Sequence, residues 1–473
     1  MDDFVTSQLH VRVQRVSLAE QLGRGFCSGF TFLAPRCETR NPFHFTSAGF
    51  VSVSMSSRRF ALTRLHATAL PPCEAQDATD APAPTAIAFN ALRNPSESTR
   101  LLAVGDDCSR VHLYTVGTGH TPAAQLDDAL VEEDVAQGIH MQLVATTSFG
   151  ENEGMRGNHD DDDDDDDAPA VTSVAFHPTR TNELYAACGT HVVVMDVEND
   201  LRVLRVHVVA EDEINAVAIH PKGTFFAVAD DTGRASVCEC GTADEGGASV
   251  PAKPRKVIRS AHDGICSAIA FAGSRRPWDI VTAGYDCTAR LHDFSTGKVK
   301  AEADMRTTSP SSSTGAPEEG REMCNPPFVH AVAVLDPPGN SVVVCRGDGR
   351  IALWSYGAGG GGAMEWLGGA CEMPGAKRQA GHASAATSVA VCHIHDNVLA
   401  VTGGNDRRLI LWDVSNDAPW RSRDGSHGDV VAAPLHVVKH AAGKVNMLAA
   451  DGAYVAVADT SDGVSLYCVL QKE

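Results

Sequence analysis

From residue 85 to its C-terminal end the chain repeats one pattern of apolar and polar positions. Short runs alternate Val, Ile, Leu or Phe with small or polar side chains, as in TAIAFN (85–90), VTSVAFHP (171–178) and INAVAIHP (214–221), and Gly, Asp and Asn punctuate them. Alternation with a period of two predicts half-buried strands rather than helices. Two units show the period best. One reads Gly381-His382, TSVAVCHI (387–394), VLAVTGGND (398–406) and RRLILWD (407–413); the other reads Ala261-His262, ICSAIAFAG (265–273), DIVTAGYD (279–286) and CTARLHD (287–293). Each has a His, an alternating strand, a second strand closing on a small-residue turn with Asp, and a third strand ending in Asp.

Five diverged units complete the series, and their third strands place Tyr114, Met195, Cys238, Trp354 and Tyr467 where the first two have Trp412 and His292. A repeat too small to bury its own face must stack on its neighbours. The pattern predicts an all-β, seven-bladed WD40 β-propeller over 58–473, with 1–57 as a disordered N-terminal extension. The composition shifts at 117–169, 301–326, 357–362 and 415–430 read as loops. The first of these is predicted to be an acidic disordered insert between blades one and two, and the second a Ser/Thr/Pro-rich loop. An open sheet edge invites aggregation, so FALTRL (60–65) is expected to supply the outer strand of the last blade.

The recurring polar residues have a structural reading. His382, Thr402, Asp406 and Trp412 form one expected hydrogen-bonded tetrad, and His262, Thr282, Asp286 and His292 form another, with His292 in place of Trp. A buried Asp is costly unless paired, and the tetrad pairs it. Each link contributes about 0.5–1.5 kcal/mol net.

Composition narrows the function. The net charge is −21, and the run Asp160–Asp167 carries eight of those charges. Phosphate backbones need clustered Lys and Arg, and no such cluster opposes this acidity, so nucleic acid is not an expected partner. No apolar run reaches the ~18 residues of a membrane span. The 14 cysteines are scattered without a C-x-x-C pair, which suits reduced cysteines in a cytoplasmic or nuclear protein better than a disulfide framework or zinc site.

Candidate chemistry fails against the repeat. The glycine run at 357–362 lacks the Lys-Ser or Lys-Thr of a phosphate loop. His393 and His395 lie two apart on one strand face, but no H-E-x-x-H accompanies them. His382, Asp406 and Thr402 match a hydrolytic triad only in composition, without a G-x-S-x-G elbow. No enzyme, cofactor or metal site is expected.

The His-to-Asp spacing and the terminal W-D resemble the WD40 repeat family. Further stretches are similar to the WD repeat-containing protein 53 family in particular: EDEIN (211–215), KVIRSAHDGICSAIAF (256–271), VTGGNDRRLILWD (401–413) and GKVNML (443–448), in the same order, over roughly 60–470. The resemblance implies a monomeric protein-interaction scaffold that serves as a substrate receptor of a cullin-4 ubiquitin ligase. Such receptors dock the ligase's damaged-DNA-binding adaptor through a W-D-x-R motif. Here Glu198, Ser295 and Ser415 stand where that Arg belongs, and an Arg-to-Glu reversal costs binding. In this fold, first-strand entrances and second-strand exits share a face, so Glu211, Asp212, Glu213, Tyr285, Arg346, Asn405, Arg407 and Lys444 are expected around one partner-binding rim. Asn215 and Asn446 are expected to fix turns. The alternative reading is a histone- or chromatin-binding propeller that captures basic peptides with its acidic loop and rim.

Overall fold

The computed structural model describes residues 59–72, 82–90, 99–118, 139–149, 169–241, 253–306, 325–337, 339–357, 362–367, 370–373, 376–379, 381–416, 418, 420, 432–440 and 442–472. The predicted extension at 1–57 and the run Asp160–Asp167 lie outside these residues.

The described residues form seven antiparallel four-stranded sheets and one two-stranded hairpin. β1 (Arg59–Ala69) precedes blade one, which comprises β2 (Pro84–Phe89), β3 (Thr99–Asp106), β4 (Arg110–Thr118) and β5 (Ile139–Ser148). Blade two holds β6 (Val171–Phe176), β7 (Glu183–Cys188), β8 (His191–Asp196) and β9 (Arg202–Val208), and blade three β10 (Ile214–Ile219), β11 (Phe225–Asp230), β12 (Ala235–Glu239) and β13 (Lys256–Ile258). Blade four follows with β14 (Cys266–Phe271), β15 (Asp279–Gly284), β16 (Thr288–Asp293) and β17 (Lys298–Asp304). Blade five has β18 (Val329–Val334), β19 (Ser341–Arg346), β20 (Ile351–Tyr356) and β21 (Gly362–Leu367); a hairpin of β22 (Ala370–Met373) and β23 (Ala376–Gln379) separates it from the next. Blade six contains β24 (Ala386–Ile394), β25 (Asn397–Gly404), β26 (Arg408–Asp413) and β27 (His436–Lys439), and blade seven β28 (Val445–Asp451), β29 (Tyr454–Asp459) and β30 (Gly463–Lys472).

The first strands pack on one another in a closed circuit: β2, β6, β10, β14, β18, β24, β28 and back to β2. They therefore surround the axis, and the sheets radiate from it. Blade seven takes its fourth strand from β1, which pairs with β30 from Arg59↔Lys472 to Ala69↔Gly463, so the segment expected to close the ring does so.

Two loop boundaries need correction. The predicted disordered insert 117–169 contains β5, the outer strand of blade one, paired with β4 and followed by a buried Phe149. Its sequence, IHMQLVATTS, alternates weakly, because an outermost strand has little to bury. Likewise the first residues of the predicted loop 301–326 belong to β17, and Met305 behind them is fully buried.

The core lies between blades rather than inside them. Seven apolar clusters occupy the seven blade–blade interfaces; Ala390, Val401 and Leu411 of blade six, for example, meet Leu448, Val457 and Tyr467 of blade seven. Both faces of an inner strand are covered this way, which is why β7, β15, β19 and β29 are buried throughout.

Candidate protein-binding face

The face at which first strands begin and second strands end is organised by three polar systems. The first is the predicted tetrad. In blade six His382 Nδ1 lies 2.9 Å from Asp406 Oδ1, His382 Nε2 lies 2.9 Å from the Thr402 hydroxyl, and Trp412 Nε1 donates to that hydroxyl at 2.9 Å. Asp406 also accepts from the Ala383 and Arg408 amides. Burial pushes its carboxyl pKa up, but the His382 hydrogen bond and charge, with Ala383 and Arg408, hold it below the ordinary value. Blade four repeats the chain: His262–Asp286 at 2.9 Å, His262–Thr282 at 2.8 Å and Thr282–His292 at 3.0 Å. All eight predicted tetrad residues meet as expected.

Both complete tetrads need a glycine. A Cβ on Gly404 would stand 2.7 Å from His382 Nδ1, and one on Gly284 2.7 Å from the His262 ring. The register puts Asp106, Cys188, Asp230, Arg346 and Asp459 at that place in the other blades. Blade seven solves the problem differently. His440 Nε2 meets Asp459 directly at 2.6 Å and its Nδ1 meets the Tyr467 hydroxyl at 2.7 Å. Sequence reasoning missed this set, since Asp459 comes two residues before the usual turn Asp. In blade one Asp106 is fully buried and accepts from Arg110 Nε at 2.8 Å, with His112 Nε2 at 3.0 Å.

The second system stitches the blades into a ring. Every first strand carries a register shift at its second residue, and a bulge of this kind re-aims one side chain. Six of these side chains donate to the carbonyl that opens the next blade: Thr85 to Val171 (2.6 Å), Thr172 to Ile214, Asn215 to Cys266 (3.2 Å), Ser267 to Val329 (2.5 Å), Thr387 to Val445 (2.6 Å) and Asn446 to Pro84 (2.9 Å). Asn446 therefore bridges blades instead of fixing a turn, whereas Asn215 does both, its Nδ2 also donating to Asp231 in the turn after β11 at 2.7 Å. His330 holds the seventh place and turns to Tyr285, its Nδ1 3.4 Å from the phenol oxygen.

The third system is the rim itself. Glu211, Asp212 and Glu213 precede β10 and are exposed. Glu211 pairs with Arg234, and the Asp212 carboxylate accepts from the Glu213 amide at 2.9 Å. Partial burial, then the charges of Asp231 and Asp212, raise the Glu213 carboxyl above its usual pKa. Tyr285 is half-buried and stacks on Phe328 at 5.0 Å. Asn405 is half-buried in the turn after β25, while Arg407 and Lys444 are exposed. Arg346 departs from expectation. It is only 3% exposed, pairs with Asp348 at 2.6 Å and lies 4.8 Å over the Trp366 ring, so it is no open rim cation. It occupies the blade-five place that is Gly404 in blade six, on the flank of the sheet.

Residues 376–413 match the model of the WD domain, G-beta repeat (WD40), from β23 to the end of β26 and with the whole His382–Trp412 tetrad inside. The chain carries a WD40 repeat. With the seven-bladed propeller, the match supports placement in the WD-repeat family, whose propellers are generally non-enzymatic interaction scaffolds.

The other candidate chemistry is absorbed by the fold. His393 and His395 are exposed, and His395 sits in the tight Ile394–Asn397 turn with φ 51°. Among the described residues one group of three has metal-ligand types within reach of one another, Asp106, Asp107 and Cys108, and its Asp106 is already taken up by Arg110 and His112. Eight of the nine cysteines whose side chains are described are buried, and burial raises thiols such as Cys188 and Cys240 to about 11.

Proposed function

We propose that the protein is a docking platform whose partner sits on the rim formed by the first-strand entrances, and that it presents this partner as a substrate receptor of a cullin-4 ubiquitin ligase. The observation that carries the platform reading is the division of labour on that face. The His–Asp sets and the bulge ring consume the buried polar groups, whereas Asp212, Arg407 and Lys444 stay exposed with no part in either. Exposed charges with no structural role at loop tips of a rigid scaffold are where binding residues concentrate. The ligase reading rests on the similarity to WD repeat-containing protein 53.

Three third-strand Asp residues bear on the adaptor. Asp196 accepts from the Glu198 amide, Asp293 from Ser295 and Asp413 from Ser415. All three close turns, and the residue after next, which is Arg in W-D-x-R, is Glu or Ser here. Adaptor docking by this protein therefore relies on other contacts. Affinity purification from native cells tests it: recovery of cullin-4 and its adaptor supports the ligase role, and recovery of neither removes that role while leaving the platform.

A second reading, capture of basic peptides such as histone tails, is favoured by one observation. Glu211, Asp212 and Glu213 stand exposed in a row at one strand entrance, and the Glu213 carboxyl, raised first by desolvation, is raised further by the charges of Asp231 and Asp212, which a cation would offset. Salt-sensitive binding to basic peptides that survives Asp212→Asn with Glu213→Gln would remove it.

A further inference from the structure

The opposite face, where first strands end and third strands turn, carries a feature that neither the propeller nor the rim reading uses. Trp278, in the loop between β14 and β15, is 43% exposed, and among the described residues it is the only aromatic among the exposed large apolar side chains. It caps an aromatic cluster between blades three and four. Its ring lies 5.5 Å from Phe294 and 6.0 Å from Phe225, and Phe225 and Phe294 are 5.5 Å apart. The Arg255 guanidinium stands over both Phe225 (5.3 Å) and Trp278 (5.8 Å). Lys256 reaches across from β13 to the Thr296 carbonyl at 2.9 Å, tying the two blades together beneath the ring.

The charge here opposes that of the chain. Segments 253–256, 274–279 and 293–300 hold seven Lys or Arg against two Asp, in a protein of net charge −21. Internal pairs use some of them: Arg255 with Glu239, Arg276 and Lys300 with Asp279, and Lys300 with Asp293. Lys253, Arg275 and Lys298 are exposed and have no ionic partner among the described residues. An exposed Trp with Arg255 over its ring, Arg275 in its own loop and Lys253 two residues before Arg255 has the aromatic and arginine composition of a binding hot spot.

We propose that Trp278, with Lys253, Arg255 and Arg275, forms a second docking site, and that it takes a short acidic peptide segment bearing an apolar anchor residue. The anchor would lie on the Trp278 ring, with its carboxylates among the three cations. Length separates a peptide from a nucleic acid. Screening confines a charge to about 8 Å at physiological salt, so a short acidic segment feels only the local cations. A long polyanion must also cross the acidic remainder of the surface. This site sits on the face away from the rim, so both can be occupied at once.

Fluorescence polarisation tests the proposal with three labelled nonapeptides: one of alternating Glu and Asp around a central Leu-Leu, one with the Leu pair changed to Ala, and one with the acids changed to Lys. The expected result is micromolar binding of the first, at least tenfold weaker binding of the second, none of the third, and quenching of tryptophan fluorescence on binding. Trp278→Ala should weaken the first peptide by tenfold or more. Arg275→Glu, an exposed and unpaired position that leaves the aromatic cluster intact, should weaken it severalfold and flatten its salt dependence, while Asp212→Asn on the other face should leave it unchanged. Absence of binding by the first peptide would overturn the proposal. So would binding indifferent to both Trp278→Ala and Arg275→Glu, or a preference for a labelled single-stranded RNA of the same length.

Discussion

Blades five and six are neighbours built on the same plan, each with a fully buried Trp at the same place in its third strand, yet they treat that Trp differently. Trp412 donates to Thr402 and closes a chain that runs through His382 to Asp406. Trp354 has Val344 where blade six has Thr402, Arg346 where it has Gly404, and no partner for its Nε1 among the described residues. Both blades have the same four strands and the same apolar interface between them. The difference teaches that the tetrad reinforces a blade without defining one. What defines a blade is two-sided burial of its middle strands; the bulge hands a hydrogen bond to the next sheet in six blades but not in blade five, where His330 turns to Tyr285. A lone indole N–H without an acceptor is a modest penalty, whereas a buried Asp without its His would be a large one.

The contrast can be broken most severely at His382. His382→Ala strands the Asp406 carboxylate inside blade six, and a loss of about 3 kcal/mol or more is expected, read as a fall in Tm by calorimetry. A loss under ~1 kcal/mol, the level of a surface pair, would mean the tetrad adds little. Acid comes next. His292 takes the Trp place in blade four, and burial, with the positive charges of His262 and Arg290, lowers its pKa from 6.5 to about 4. The unfolded chain therefore takes up this proton first as the pH falls. The stabilisation is complete above about pH 6.5 and drains away towards pH 4, at most about 3 kcal/mol for one group. His292→Gln should flatten the decline of Tm between pH 7 and 4.5; part of the slope survives, because His207 is lowered to about 4 as well, chiefly by burial. An unchanged profile would refute the assignment.

A subtler pair sharpens the comparison. Trp412→Phe and Trp354→Phe remove the same atoms from equally buried sites, but only the first loses a hydrogen bond. It should cost about 1 kcal/mol more than the second, and equal costs would show that packing alone matters. The smallest effect is a repair. Val344→Thr supplies Trp354 with an acceptor, at the expense of a buried hydroxyl, and should be near neutral. In a Trp354→Phe background the same change should cost about 0.5–1 kcal/mol more. Additive urea midpoints would reject the rescue.

Much of this architecture was legible because the inner strands are apolar in strict alternation and the two full tetrads stand at matched spacing. Outer strands were harder. β5 and β17 expose most of their side chains, so their sequences resemble loops. The ring through Thr85, Thr172, Ser267 and Thr387 left no trace beyond a small polar residue near each strand start. His440 and Asp459 were missed because their spacing differs from that of the full tetrads, although chemistry and burial are alike. Arg346 was misplaced for the opposite reason: a turn position usually open to water is filled in blade five by a cation lying on Trp366.

The pairing of Arg59 with Lys472 has a consequence for how the protein is made. On the ribosome, β1 emerges before any blade exists and its partner β30 emerges at the far end of the ring. Six sheets can form as they are synthesised, but the seventh waits for a contact spanning some four hundred residues, and until then β1 is an unsatisfied edge in need of shelter. The nascent chain is at its most vulnerable just before β30 emerges.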